Sequence, residues 1–302
     1  MRILITGGTG TVGTAIIREY QAEHDFAVIS RNEAQHAEFR DAFPDVQCFL
    51  GSIENISQLL GAYRKFRPEV VVHAAAVKHI DLAEKNPSQA CRVNVLGSLN
   101  VIEASQRCGI QTTIGISTDK ACNASVYGYT KFLMERTFLE ANSYAIRFAC
   151  CRFGNVAKSS GSVIPKWQLM AAKGEPLQVT DPTMCRLMIS QPDAARLVMR
   201  AIREAQLGGG FVLTKKLKQV NILALAKRIS PDYVVVGSRA GEKQHEALLL
   251  PAEIPYSCVS PEGYIKIGHT INRDEATRFD AGYDSSCAEQ MTDTEIDDLL
   301  FS

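Results

Sequence analysis

Two stretches of the chain carry side chains able to move protons. Ser117-Thr118-Asp119-Lys120 ends an apolar run, and Tyr127-Gly128-Tyr129-Thr130-Lys131 follows closely. Tyr127 and Lys131 are four apart, so on a helix they share one face. A lysine ammonium beside a phenol lowers its pKa and brings phenolate within reach near neutral pH. A third stretch is suited to binding. Thr6-Gly7-Gly8-Thr9-Gly10-Thr11-Val12-Gly13 spaces its glycines G-x-x-G-x-x-G after a short apolar run. Gly7 permits a tight turn, Gly10 lets backbone approach a pyrophosphate, and Gly13 lets a helix pack on a strand. A pyrophosphate then rests on the free N–H groups of the helix's first turn.

The end of the second apolar run selects the cofactor. An acid there holds the ribose 2′-OH of NAD. This chain has Ser30-Arg31-Asn32 instead. An arginine in place of an acid favours NADP over NAD, because it can neutralise a 2′-phosphate. The competing reading is that Arg31 is a solvated loop charge.

These residues need elements to position them. Candidate strands are Arg2–Thr6, Ala27–Ser30, Gln47–Leu50, Val70–Ala75, Thr112–Ser117 and Ala145–Phe153. Candidate helices lie between them at Val12–Gln21, Ile56–Phe66, Pro87–Gly109 and Gly128–Ala141. Strand alternating with helix predicts βαβ units and a mainly parallel sheet, an α/β chain of Rossmann type, doubly wound. The pattern is clean to about residue 155, which suggests a nucleotide-binding domain over 1–155. A smaller α/β substrate region is expected over 156–302, with the chain free to cross back. There Val163–Lys173 and Gln191–Ala205 read as helices, and Leu177–Thr180, Phe211–Leu213, Tyr233–Gly237 and Tyr264–Gly268 as strands. Thr292–Asp298 with Leu299-Leu300-Phe301 reads as a short amphipathic helix.

Composition narrows the classes. The 302 residues hold 33 Lys+Arg and 33 Asp+Glu, a formal net charge of zero. That argues against a coat for nucleic acid or an anionic membrane. The longest apolar stretch, Val70 to Val77, is far below a membrane span, and Met1–Thr6 is too short for a signal segment. A soluble, cytoplasmic protein is expected. Nine cysteines with no CxxC pair give no metal spacing and no disulfide framework. His73 reads as a satisfied core histidine, and Cys150-Cys151 as core thiols.

With these motifs in view, the chain resembles an extended short-chain dehydrogenase/reductase. More narrowly, it resembles the soluble UDP-N-acetylglucosamine 4,6-dehydratases, including the 5-inverting ones of pseudaminic acid pathways. Carrying the match are Thr6–Gly13, Ser30-Arg31, the His73–His79 run, Asn94, Ser117–Lys120, Tyr127–Lys131, Gly154-Asn155-Val156, Gly161–Pro165 and Arg239–Glu246. The resemblance implies that Tyr127, helped by Lys131 and Thr118, takes a proton from the sugar O4 as C4 is oxidised. Lys120, with a depressed pKa, would remove the C5 proton. Asp119, protonated, would donate to the departing O6. Cofactor contacts are implied at Gly7, Thr9, Gly10, Thr11, Val12, Gly13, Ser30, Arg31, Ser52, Ile53, Ala74, Ala75, Ala76, Lys78, Asn94, Tyr127 and Lys131. Substrate contacts with a UDP-N-acetylhexosamine are implied at Lys78, His79, Asn155, Val163, Arg186, Arg239 and Glu242. A homo-oligomer is also implied.

The chain departs from the family pattern. The loop Ala121-Cys122-Asn123-Ala124-Ser125-Val126 lacks the family's proline, and Ser52 stands where an acid is usual. Lys158, Ser160, Cys185 and Ala240 are further changes near the substrate side. Cys122 and Cys185 therefore stand as candidate reactive thiols. Rival readings are a UDP-sugar 4-epimerase or C5-epimerase that never eliminates water, and a non-catalytic NADP sensor. Asp119 and Lys120 argue against the first, and Thr118, Tyr127 and Lys131 against the second.

Overall fold

The central strands are made by apolar runs without polar alternation. Ile3, Leu4 and Ile5, Val28 and Ile29, and Val70 to Val72 are buried on both faces, the mark of parallel strands covered by helices. The computed structural model describes residues 1–238, 241–268 and 281–301. The first half runs β1 (Arg2–Thr6), α1 (Thr11–Tyr20), β2 (Asp25–Ser30), α2 (Glu33–Ala42), β3 (Gln47–Leu50), α3 (Ile56–Phe66) and β4 (Val70–His73). It continues with α4 (Ile80–Lys85), α5 (Pro87–Cys91), α6 (Gly97–Arg107), β5 (Thr112–Thr118), α7 (Val126–Ala141) and β6 (Arg147–Phe153). The second half has β7 (Asn155–Val156), α8 (Val163–Ala172), β8 (Leu177–Val179), β9 (Cys185–Ile189), α9 (Gln191–Leu207), β10 (Val212–Lys215) and β11 (Gln219–Asn221). It ends with α10 (Ile222–Ile229), β12 (Tyr233–Val235), β13 (Ala247–Leu249), β14 (Ser257–Val259), β15 (Tyr264–Ile267), β16 (Tyr283–Asp284) and α11 (Asp293–Phe301).

One sheet of nine strands has the order β14-β15-β10-β6-β5-β4-β1-β2-β3. Strands from β3 to β10 are parallel, and β15 and β14 add antiparallel at one edge. The order reverses between β1 and β4, and ligands of open α/β sheets collect outside the strand ends at such a point. The expected division at residue 155 is not the one the sheet follows. β10, β14 and β15 come from the second half and complete it, and α9 packs on α1. The remaining second-half strands form three small sheets, β11-β9-β7, β12-β8 and β13-β16.

The expected single helix over Pro87–Gly109 is three pieces. A π-helical turn, Arg92–Leu96, separates α5 from α6. Such turns widen the helix locally, and this one carries Asn94, whose side chain is wholly occupied inside the protein. Helix α2 buries only His36 and Phe39, which leaves little apolar periodicity in its sequence. Its start is capped instead by Asn32, whose side chain accepts from Gln35 N at 3.1 Å.

Helix α7 sits over β5 and β6 and presents Phe138 to the sheet. That ring is fully buried, stacked on His73 and edge-on to Phe148, both at 5.8 Å. Phe138→Ala should therefore cost about 3–5 kcal/mol of stability, because the cavity cannot collapse between two aromatic neighbours. Urea unfolding followed by circular dichroism measures it.

Candidate active site

A cleft of about 750 Å³ runs along the carboxyl ends of the strands, from the glycine loop to Tyr127. Of the expected nucleotide contacts, Gly7, Thr9 to Gly13, Ser30, Arg31, Ser52, Ile53, Ala74 to Ala76 and Lys78 all line it. Gly7 has φ +66°, and a Cβ there would meet Ala75 Cα at 2.7 Å. A Cβ on Gly13 would collide with the Gly8 backbone. Helix α1 begins at Gly10 with no side-chain cap, so its first-turn N–H groups are available to an anion. A loop, a helix start and an elongated cleft of this kind fit a dinucleotide.

At the outer end, Thr9 donates to Ser30 Oγ at 3.1 Å. His36 Nε2 lies 3.0 Å from the Ser30 carbonyl and 2.8 Å from its hydroxyl. A carbonyl only accepts, so Nε2 carries the proton. The Arg31 guanidinium is exposed, 3.8 Å from the Glu54 carboxylate, which also accepts from Ser52 Oγ at 3.3 Å. His36 and Glu54 were not legible as site residues.

Asn94 does not line the cleft. It bonds Val77 on both sides, at 2.8 and 3.0 Å, and Thr130 Oγ1 at 3.0 Å, so it braces the cleft wall without an amide group left for a cofactor. His73 is a satisfied core residue. Ser98 donates to the Asn94 carbonyl, so it accepts from His73 Nε2 at 2.9 Å, and Nδ1 accepts from Thr6 at 2.8 Å. Burial and the nearby Lys131 push its pKa down to about 3, which keeps it neutral.

The reactive residues converge at the end of β5. Thr118 donates to Asp119 Oδ1 at 2.9 Å and accepts from Lys120 N. Asp119 is fully buried beneath the cleft wall, and its Oδ2 makes no hydrogen bond among the described residues. Burial, then the charge of Glu246, raises its pKa, and Lys120 opposes only in part. It therefore stays a neutral acid where an exposed aspartate has ionised. Lys120 donates to Asp119 Oδ1 at 3.0 Å, Asn155 Oδ1 at 3.2 Å and Glu246 Oε2 at 3.0 Å. Those three bonds use all three donors of an ammonium. Burial pulls the Lys120 pKa down, but Asp119 and Glu246 outweigh it and hold it above the ordinary value. The expectation of a depressed Lys120 is thus corrected: two carboxyl groups beside it favour the charged form.

Tyr127 and Lys131 line the cleft on α7, both more than nine-tenths buried. Burial pushes Tyr127 up to about 12, and the cation acting most against this is Lys120. Lys131 is pulled down to about 8 by burial. The expected lowering of the phenol by Lys131 therefore falls to Lys120 here, because Lys120 is the better-stabilised cation.

On the substrate side, Lys78, His79 and Asn155 line the cleft. Lys78 donates to the Ser160 carbonyl at 2.7 Å, and Gly161 packs on the His79 ring. Asn155 also donates to Glu246 at 3.3 Å. Val163, Arg186 and Glu242 do not line it. Val163 opens α8 and packs on the small third core. Arg186 is buried, donating to the Cys185 and Gln244 carbonyls at 2.9 and 3.1 Å and facing Glu246 at 3.6 Å, so its fork is already filled. Glu242 is half-buried in the turn before Glu246. Arg239 lies outside the described residues. Glu246, the last residue of the Arg239–Glu246 stretch, joins the site as a buried carboxylate: Lys120 and Arg186 outweigh burial and hold its pKa well below the carboxylate range. Its partner Lys120 is 126 residues away, which no local signal reveals.

A doubly wound sheet with a glycine-rich first turn and Tyr-x-x-x-Lys on the helix after β5 defines an extended short-chain dehydrogenase/reductase. The chain belongs to the polysaccharide biosynthesis protein family, whose pattern matches residues 3–265. It is 35% identical over 282 residues to a UDP-N-acetylglucosamine 4,6-dehydratase (inverting) of Campylobacter jejuni subsp. jejuni serotype O:2, covering 89% of this chain and 83% of that one. It is 31% identical to a UDP-glucose 4-epimerase of Rickettsia massiliae, covering 83% of this chain and 78% of that one. Among solved structures, Pen from Bacillus thuringiensis superposes with a TM-score of 0.90 at 26% identity, covering 99% of this chain and 96% of that one.

The expectation for Cys122 is corrected as well. Cys122 accepts from Arg152 at 3.3 Å, and burial pushes its pKa up to about 12. The thiolate is the reactive form. Iodoacetamide at pH 7.5 should therefore label exposed Cys91 and Cys287 and spare Cys122, as peptide mass spectrometry would read. Rapid labelling of Cys122 in the folded protein would contradict this packing.

Proposed function

We propose that the protein is an NADP-dependent UDP-N-acetylhexosamine 4,6-dehydratase, with UDP-N-acetylglucosamine as substrate and inversion at C5. The observation that carries this reading is the Thr118–Asp119–Lys120–Glu246 cluster beside Tyr127. Oxidation at C4 alone asks for a phenol, a hydroxyl and a cation. It does not ask for a buried neutral carboxyl group bonded to an ammonium. Loss of water across C5 and C6 does, since one proton must leave carbon and another must reach O6.

A nicotinamide dinucleotide held by the glycine loop, Ser30 and Arg31 along this cleft would supply a two-electron acceptor that is restored within each turnover. The chain's own residues do the rest. Tyr127 accepts the O4 proton once its own has been passed on, and Lys120 and Thr118 offset part of the cost that burial puts on its phenolate. The resulting C4 ketone acidifies C5–H. As Asp119 gives its proton to O6, its Oδ1 takes a proton from the Lys120 ammonium along their hydrogen bond. The amine so freed accepts the C5 proton, so that water leaves and both groups are restored. Return of the C4 hydride to C6 and of one proton to C5, balancing the one taken from O4, completes the reaction. Closure of the wall by Lys78, His79 and Gly161 excludes water. The Rickettsia relative keeps a 4-epimerase as the second reading.

The same reading places the protein in the cytoplasm, as a homo-oligomer. Among the described residues, no helix is long and apolar enough to cross a membrane. Leu96, Leu99, Tyr129 and Leu133 are exposed on or beside α6 and α7, which touch each other and offer an apolar face to a second copy.

Incubation with UDP-N-acetylglucosamine should give a product lighter by one water, with a C6 methyl signal in the NMR spectrum. Unchanged mass with an altered C4 configuration would instead establish the epimerase. Tyr127→Phe should lower turnover by about 10²–10⁴-fold. Arg31→Ala should weaken NADP binding about ten- to a hundredfold and leave NAD nearly unaffected, read by fluorescence titration. Equal weakening of both cofactors would show that Arg31 does not read the 2′-phosphate.

A further inference from the structure

Behind the cleft, β6 carries a fully buried arginine. Arg152 Nε and Nη2 donate to the two oxygens of Glu135 at 2.9 and 2.7 Å. Its Nη1 and Nη2 donate to the two oxygens of Glu253, both at 2.8 Å. Nη1 also reaches the Leu248 carbonyl at 2.8 Å and Cys122 Sγ. Every oxygen of both carboxyl groups accepts from the guanidinium, the arrangement that suits two carboxylates. One guanidinium therefore balances two buried carboxylates, and one negative charge is left over in a region closed to water.

Glu135 stands on α7 four residues after Lys131, which is itself four after Tyr127. All three are buried, and that spacing places them on one helix face. Lys131 makes no hydrogen bond or ion pair among the described residues, although its side chain lines the cleft. The four buried charges Arg152, Glu135, Glu253 and Lys131 sum to zero only while Lys131 is an ammonium. An uncompensated buried charge is costly, so the cluster and Lys131 stabilise each other.

We propose that Glu135 is a positioning residue that keeps Lys131 a cation on the catalytic helix, with Arg152 and Glu253 holding Glu135 in place for that task. This inference deepens the proposed reaction and rests on it for its consequence in turnover. The other groups facing Lys131 do not supply its counter-charge. Tyr127 on the same helix is a neutral phenol near neutral pH. His73 on β4 is neutral, and the Cys150 thiol on β6 is held far above its ordinary value by burial. In the turn after β5, Lys120 is paired with Asp119 and Glu246 at 3.0 Å each. Burial draws Lys131 down to about 8, and Cys150 first and then Glu135 work in the opposite direction. Cys150 can do so only as a thiolate, which its own burial suppresses, so Glu135 is the standing counter-charge.

The sign follows directly. Removing the Glu135 charge lowers the pH at which Lys131 loses its proton, so the cation is lost nearer to neutrality. The test is the side-chain ¹⁵N signal of Lys131 in lysine-labelled protein, assigned with Lys131→Arg and titrated without cofactor. The wild-type midpoint is expected near 8. Glu135→Gln should lower it by about one unit, a tenfold change in proton affinity. Glu253→Gln should shift it the same way by less, and Glu135→Asp should restore it. In turnover, the alkaline limb of the pH profile should move by the same amount as the NMR midpoint. Unchanged midpoints in Glu135→Gln and Glu253→Gln, with the fold intact, overturn the inference. If Glu135→Gln does not fold, Glu253→Gln decides by the same criterion. Absence of turnover in the wild type would count against the proposed reaction alone, because the titration needs no substrate.

Discussion

Lys120 is held by carboxyl groups from both halves of the chain, and most of the site depends on that contact. Asp119 precedes it on the turn after β5, and Glu246 arrives from the segment before β13. Glu246 could not stay buried as a carboxylate without a cation beside it, and the cation could not stay charged without that carboxylate. Competition between the two acids sorts the protons: Glu246 is driven to the carboxylate, and Asp119, whose Oδ2 makes no hydrogen bond among the described residues, to the neutral acid. One lysine thereby ties the second half of the chain to the first and sets a donor beside it.

The Arg152 cluster does comparable work one layer deeper. It joins α7, β6, the turn carrying Cys122, and the segment from Leu248 to Glu253. The second half of the chain is therefore more than a lid on a nucleotide domain. It contributes three strands to the main sheet and two carboxylates, Glu246 and Glu253, to the buried electrostatics behind the cleft. The cysteine that replaces a usual loop residue at position 122 is absorbed into this network as an acceptor for Arg152.

The nucleotide half was legible because its signals are local. A glycine spacing, a tyrosine and lysine one helical turn apart, and unbroken apolar strands all lie within short windows. In the second half, β8, β10, β12 and β15 fall where the sequence places strands, whereas β9, β11, β13 and β14, three to five residues long, carry no apolar run long enough to set them apart from loop. The partners of Asn94 and Arg186 were illegible for another reason. Their residue types suit ligand contacts, but tertiary structure had already filled their hydrogen-bonding capacity with backbone carbonyls and neighbours. The protonation of Lys120 was illegible likewise, because its decisive partner Glu246 lies far away in sequence.

The central claim is that this buried pair of acids and its lysine serve chemistry at C5, beyond oxidation at C4. UDP-N-acetylglucosamine carrying deuterium at C5 tests it most directly, with wild-type and Lys120→Met proteins compared by mass spectrometry. The account predicts that the wild-type product loses the label to solvent, whereas Lys120→Met leaves it in the recovered sugar. A wild-type product that keeps its deuterium in full would show that C5 is never deprotonated, and the cluster would have to be read as structural.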